Sequence, residues 1–190
     1  MIPVGYMLKR IAPRPEWLKA ENVVDIFSVA GCASNNFADY TPFWRHNGYC
    51  FFNSPVDLEE VAQENSIELE GTTLFYYEAY ELEFDFVDDD TGVWRTYHCV
   101  PDWKTDVETP QDRTLAGFDV VEYVCGNSPE DSLASCCNEI ASACPLNVHC
   151  LFNTFEEAKK ALESGLFHDH EPGPYRIFAV YLLNPLLCDL

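Results

Sequence analysis

The sequence predicts an α+β fold, in which a mainly antiparallel sheet carries two or three helices packed on one side. Two observations support this class. One long stretch alternates apolar and polar residues and is followed by a turn and a second strand, which is typical of an antiparallel hairpin. Helix signals are few and do not alternate regularly with strands, unlike those of a doubly wound fold.

The hairpin prediction rests on the segment from Thr72 to Val87. Its even-numbered apolar residues fall on one face of a strand, and the acidic residues Glu81, Glu83 and Asp85 fall on the other. Asp88 to Gly92 reads as a turn, and Val93 to Val100 as the returning strand. The apolar face consists of Leu74, Tyr76, Tyr80, Leu82, Phe84 and Phe86.

Two helices have clear start signals. Ser54 and Pro55 place a cap and a first-turn proline before a helix over Asp57 to Glu64. Thr154 and Glu157 form a capping box that opens a helix closed by Gly165. Weaker patterns predict a third helix over Leu133 to Cys144 and a single turn over Pro15 to Ala20. Further strands are predicted at Val4–Lys9, Val23–Val29, Tyr49–Phe52, Phe118–Cys125 and Tyr175–Leu183.

The chain of 190 residues is long enough for one domain, which we assign to residues 1–190. Its composition, 47% hydrophobic and 14% aromatic, supports a substantial core. We find no internal repeat and no low-complexity linker. The weakest joints are Thr105 to Arg113 and Gly126 to Ser132, which are polar and contain proline.

The formal net charge of −21 decides which partners are favourable. Nucleic acid and anionic membrane surfaces would repel such a domain, whereas cationic proteins would be attracted. The charge is concentrated, because no Lys or Arg occurs between His46 and Trp94 while the same span holds 13 acidic residues. The alternative is that the charge only keeps the protein soluble.

The compartment is predicted from the N-terminus and the cysteines. No basic leader with an apolar run is visible, and no apolar stretch approaches the roughly 20 residues that span a bilayer. We therefore expect a cytoplasmic protein whose nine cysteines are reduced thiols. A mature secreted fragment remains the alternative.

Metal and cofactor sites are not expected. The region from Cys125 to Cys150 is rich in cysteine but lacks the C-x-x-C spacing of zinc sites. His168 and His170 form a lone alternate pair in an expected turn. Neither phosphate-binding glycine motif is present, so no cofactor is predicted.

Two residues are candidates for enzymatic chemistry. Cys32 follows a predicted strand, and His46 and Asp39 would serve as base and orienting group if the fold gathers them. The structural alternative is that Cys32 is a small buried residue beside a tight turn. Glu78 interrupts the apolar face of the long strand, where a buried carboxylate is either functional or hydrogen-bonded by tyrosine. The tyrosine-bonded interpretation is favoured.

The acidic row is the strongest candidate for partner binding. Alternate carboxylates stand about 7 Å apart along a strand face, which suits several Lys or Arg side chains better than one calcium ion. The alternative is a charged strand that discourages edge-to-edge pairing. The row comprises Glu81, Glu83, Asp85, Asp88, Asp89 and Asp90.

Three strings carry a resemblance: Gly31 to Tyr40, His46 to Tyr49 with Phe52 to Pro55, and Glu171 to Tyr181. They resemble an uncharacterised group of small bacterial cytosolic proteins. The general type is similar to immunity proteins of bacterial toxin systems, which are small, acidic, α+β and without catalytic motifs. The resemblance implies a bacterial source and a toxin-neutralising role, and it assigns no site residue.

Together these features predict an acidic, non-enzymatic binding protein that neutralises a cationic protein partner, such as a secreted bacterial toxin. Occlusion of a basic cleft by the acidic face would be the mechanism. The alternatives are a small cofactor-independent enzyme using Cys32 or Glu78, and a structural module.

Overall fold

A computed structural model describes residues 1–30, 47, 50–88, 91–98, 106–124, 128–170 and 173–183, with backbone alone described for 81–88, 94–98, 123–124 and 128. Within these residues the strands are β1 (Ile2–Arg10), β2 (Ala12–Pro13), β3 (Asp25–Ile26), β4 (Thr72–Asp88), β5 (Val93–His98), β6 (Arg113–Val124), β7 (Ser128–Ser132) and β8 (Tyr175–Leu183). The helices are α1 (Pro55–Asn65), α2 (Leu133–Cys136), α3 (Asn138–Ala143) and α4 (Phe155–Glu163).

The main sheet has the strand order β1-β4-β8-β6-β7, with β5 also paired to β4. Every pairing in it is antiparallel. Strands β2 and β3 form a separate two-stranded sheet. The predicted α+β class with a mainly antiparallel sheet is therefore confirmed. No helix in the described part of the chain is long and apolar enough to cross a bilayer.

Two of the strand predictions agree closely with the structure. The predicted hairpin is present as β4 and β5, and β8 has the predicted bounds. The predicted strand over Val23–Val29 shrinks to the two residues of β3. Tyr49–Phe52 contributes only an isolated bridge from Phe52 to Tyr6, and Tyr49 lies outside the described residues. The predicted joint over Gly126–Ser132 is wrong, because it contains β7.

Both predicted helix starts are present, and each is a capping box. Ser54 Oγ accepts the Asp57 amide at 3.3 Å at the start of α1, and Thr154 Oγ1 accepts the Glu157 amide at 3.1 Å at the start of α4. The third predicted helix is instead two short ones, because Cys137 adopts an extended conformation (φ −123°, ψ 117°) between them. Residues 16–17 form only a turn.

The prediction of one buried face on β4 is wrong for its first half. Phe75, Tyr77 and Ala79 on the odd face are at most 1% exposed, and Tyr76 and Glu78 on the even face are also buried. The reason is position: β4 lies between β1 and β8, and side chains pack on both faces of the sheet. A central strand of this kind is apolar on both faces, so simple alternation understates its burial.

The fold contains an internal repeat, which corrects the prediction that there is none. The first unit consists of β1, α1 and β4, and the second of β6, α4 and β8. Residues 47–53 and 147–153 are spaced by 100 and are identical at Asn, Cys, Phe and Asn. Four identities in seven residues is the signal that was present in the sequence.

Equivalent hydrogen bonds support the repeat. The amide side chain of Asn47 donates to Val4 O, and that of Asn147 donates to Ala116 O, each at 2.8 Å. The cysteine three residues later has a left-handed backbone in both units, with φ of 61° at Cys50 and 63° at Cys150. In each unit, the equivalent asparagine thus binds the loop to the strand of that unit.

Two glycines explain how the loops approach the strands so closely. Phe52 bridges Tyr6, and Phe152 bridges Phe118, through paired backbone hydrogen bonds of 2.8–3.1 Å. Gly5 (φ +136°) and Gly117 (φ +152°) lie at equivalent irregularities just before the bridges. A Cβ atom on either glycine would collide with the loop backbone, so only glycine permits the contact.

The two units are related by an approximate two-fold axis through the centre of the sheet. Tyr77 of β4 and Val180 of β8 pair with one another. On the outer sides of these two strands, Gly5 pairs with Tyr77 and Gly117 pairs with Val180. The two equivalent residues thus face each other across the central β4–β8 ladder, and the outer strands β1 and β6 take equivalent places on either side.

Candidate functional site

The sequence-predicted acidic row lies on the distal part of β4. From Glu83 to Asp88 this strand pairs with β5, beyond the stretch that pairs with β1. Its pairing with β8 also changes register between Tyr80 and Asp85. The backbones of Glu81, Glu83, Asp85 and Asp88 are therefore on the hairpin, while Asp89 and Asp90 lie outside the described residues.

A second acidic surface, absent from the sequence-based prediction, is formed by α1 and the turn after it. Leu58, Val61 and Ala62 face the core. The opposite side exposes carboxylates, and the last turn of α1 contains no basic residue. We call this the α1 surface; its exposed acids are Glu59, Glu60, Glu64, Glu68 and Glu70.

The internal repeat supplies a comparison for this surface. Glu59 and Glu60 correspond, at a spacing of 100, to Lys159 and Lys160 of α4. Lys159 lies 3.7 Å from Glu163 and stands over the ring of Tyr80. Two adjacent positions of the same scaffold thus carry acids in one unit and bases in the other. The helix can therefore carry either charge at the positions of Glu59 and Glu60.

Glu78 is held in a network of aromatic and charged side chains. Its Oε1 accepts the Tyr76 hydroxyl at 3.1 Å and lies 3.1 Å from an Arg113 guanidinium nitrogen, and its Oε2 accepts the Tyr181 hydroxyl at 3.1 Å. Arg113 lies over both tyrosine rings, 4.7 and 5.4 Å from their centroids. The favoured interpretation, a carboxylate satisfied by tyrosines, is confirmed by these contacts.

The tyrosines of this network remain hydrogen-bond donors. Burial raises the pKa of Tyr76 and of Tyr181, and the neighbouring charge of Glu78 raises both further. Protonated phenols are what a carboxylate needs from its neighbours, because only then can they donate. Both oxygens of Glu78 are occupied, so its contacts describe a structural group.

A second buried polar cluster joins β1, β6 and the segment 28–30. Asp119 Oδ2 accepts the Val29 amide at 2.8 Å and the Ser132 hydroxyl at 2.6 Å. Lys9 Nζ donates to Ser28 O at 2.5 Å and to Val29 O at 2.6 Å. Both charged residues are at most 2% exposed. We call this group the Lys9–Asp119 cluster.

Sequence reasoning missed this cluster, although an Asp and a Lys inside apolar strand segments were available as signals. Burial raises the pKa of Asp119 to about 6, and the hydrogen bonds from Ser132 and Val29 and the charge of Lys9 limit the rise. The cluster fixes the backbone just before residues 31–46, which lie outside the described residues. Because the pKa of Asp119 is raised, the contribution of this cluster to stability should depend on pH.

Asp119→Asn should reveal that dependence. Native Asp119 holds its proton more tightly than an unfolded Asp, whose pKa is about 3.8, so its contribution to stability falls as pH rises from about 4 to about 6. The difference corresponds to about 3 kcal/mol. We expect the free energy of unfolding of wild type, minus that of the variant, to decline over this range and level off above it in urea titrations. A difference independent of pH would contradict the assignment.

The remaining sequence candidates have these placements. Cys32, Asp39 and His46 lie outside the described residues. Among the described cysteines, Cys137 and Cys144 are free thiols. His149 lies 2.6 Å from an Asp25 oxygen and stacks on a phenylalanine ring. No group of three or more His, Cys, Asp or Glu suited to a metal ion occurs in the part of the chain that the structure describes.

Comparison of the chain with protein-family models, with curated proteins and with solved structures finds no match. The functional argument therefore rests on the arrangement of its own residues. Of these, the α1 surface and the acidic hairpin are the strongest candidates for contact with another molecule.

Proposed function

We propose that this protein is an acidic binding protein that neutralises a cationic protein partner, and that the partner is a secreted bacterial toxin. The observation that carries the proposal is the α1 surface. Its five acidic residues are exposed, and residues 47–93 contain no Lys or Arg. Arg10 of β1 reaches this surface and donates to the Glu68 carbonyl oxygen at 3.0 Å. Such a field attracts a basic surface and repels nucleic acid.

Binding would proceed by charge steering followed by contact. Complementary charge accelerates encounter, and apolar groups within the charged area supply the buried anchor. Val56, in the first turn of α1, is 58% exposed and lies three and four residues before Glu59 and Glu60, which places it beside them on the helix surface. The α1 surface thus offers both elements, and a partner seated on it would have its basic cleft covered.

The comparison between units supports a functional origin for this charge. If acids were needed only for solubility, the corresponding helix of the second unit would serve equally well, yet it carries lysines at the equivalent positions. The charge is therefore distributed unequally between two similar halves. A surface selected for one kind of partner has this property.

The proposal predicts the effect of reversing two charges. Glu59→Lys with Glu60→Lys reproduces the residues of α4, so the fold should tolerate it. Association with the partner recovered by pull-down should slow by about tenfold or more at low salt, and most of its salt dependence should disappear. Stopped-flow or surface-based kinetics at several salt concentrations measure both.

Glu21→Lys with Glu139→Lys is the matched control, since it makes the same change in net charge at exposed residues of other segments. Its association rate should fall much less. A third variant, in which Glu81, Glu83 and Asp85 are changed to Lys, tests the hairpin as the docking face. Wild-type kinetics in both acidic-surface variants would reduce the charge to a solubility role.

A further inference from the structure

A thiol and an imidazole meet where the second unit joins its short helices. Cys137 Sγ lies 3.7 Å from His170 Nδ1, and the side chains come from positions 33 residues apart. Both residues are half-buried, so the pair is sheltered yet open to a small molecule. The contact brings a nucleophile within hydrogen-bonding reach of a base.

The backbone fixes both partners. Cys137 is the extended residue between α2 and α3; its amide donates to Leu133 O and its carbonyl accepts the Ala141 amide, each at 2.9 Å. The turn that carries His170 is closed by the bond from its amide to Phe167 O at 3.2 Å. The thiol–imidazole contact therefore joins two hydrogen-bonded segments.

We propose that Cys137 is a modification site that undergoes thiol–disulfide exchange with small disulfides, with His170 as the proton acceptor. His170 takes the thiol proton, and the Cys137 thiolate attacks one sulfur of the disulfide. A bond forms between Cys137 Sγ and that sulfur, the original S–S bond breaks, and the released thiolate takes up the proton from His170. No other oxidant or reductant is required.

The surroundings select the class of disulfide. Glu139 and Asp169, each within two residues of the pair, are exposed acids, and the whole chain carries a charge of −21. An anionic disulfide would be repelled by this field, whereas a cationic one would be attracted. The site should therefore prefer amine-bearing disulfides such as cystamine to oxidised glutathione.

Other cysteines provide internal controls. Burial raises the pKa of the half-buried Cys144 thiol to about 11, which keeps it protonated and unreactive. Cys150 is 1% exposed and its thiol donates to Ala134 O at 3.2 Å. Because these thiols belong to the same folded molecule as Cys137, a difference in rate between them does not depend on any variant folding correctly.

The test is a timed reaction of the native protein with cystamine, followed by quenching and peptide mass spectrometry. Cys137 should be modified about tenfold or more faster than Cys144. His170→Gln should slow modification of Cys137 by about tenfold or more, with the rate at Cys144 unchanged, and His168→Gln should leave the rate at Cys137 as in wild type. Oxidised glutathione should react more slowly than cystamine.

The proposal is overturned if Cys137 reacts no faster than Cys144 in the wild-type protein. It is equally overturned if a folded His170→Gln protein, verified by circular dichroism, modifies Cys137 at the wild-type rate. Equal rates with cystamine and oxidised glutathione would remove the assignment to cationic disulfides.

Discussion

Alanine in place of Gly117 should lower the free energy of unfolding by about 3 kcal/mol or more, because it combines backbone strain with overpacking. An added Cβ would lie 2.7 Å from both Leu151 Cβ and Phe152 O. The backbone at φ +152° is also one that alanine rarely adopts. Gly5→Ala should behave alike, since its Cβ would lie 2.5 Å from Phe52 O and 2.6 Å from Phe51 Cβ. Urea unfolding measures both changes.

Gly71→Ala is the control that separates strain from collision. Gly71 also has positive φ, +75°, but an added Cβ would meet nothing within 4 Å. Only the backbone cost of about 1–2 kcal/mol is therefore expected. Equal losses at Gly71 and Gly117 would show that the close approach of loop and strand is not what these glycines provide.

Lys9→Met should be the other strongly destabilising change, by about 3–5 kcal/mol, because removing one member of a buried charged group leaves the rest uncompensated. Methionine keeps most of the apolar stem. It removes the positive charge near Asp119 and the donor to the carbonyls of Ser28 and Val29. The midpoint and slope of urea unfolding at pH 7 give the change.

The matching test is the double variant Lys9→Met with Asp119→Asn. Asparagine removes the buried negative charge and keeps an oxygen for the Val29 amide and the Ser132 hydroxyl. The double variant should be more stable than Lys9→Met alone at pH 7, which gives a coupling energy between the two positions. Losses that simply add, within about 0.5 kcal/mol, would mean that the two charges act independently.

Local signals in the sequence were enough for much of the fold. The capping residues Ser54 and Thr154 locate α1 and α4 because their side chains bond backbone amides within the same turn. Strand β8 is predicted with its observed bounds because it is apolar throughout except at Arg176. Long-range arrangement was harder: the burial of β4 on both faces depends on its neighbours β1 and β8, which alternation within one strand does not reveal.

The candidate sites show the same division. Glu78 was correctly expected to be bonded by tyrosines, since Tyr76 is two residues away on the same face, but Arg113 and Tyr181 come from distant strands. The Lys9–Asp119 cluster unites residues 110 positions apart. The pairing of Cys137 with His170 likewise depends on where a turn after α4 falls, which no local pattern specifies.

The approximate two-fold axis is the arrangement expected from duplication and fusion of a gene whose product once formed a homodimer. In that ancestor β4 and β8 would have been one strand paired with its own copy, with Tyr77 and Val180 descending from a single position at the axis. Identical subunits must change together. Two units joined in one chain can differ at equivalent positions, as Glu59 and Glu60 on one helix differ from Lys159 and Lys160 on the other.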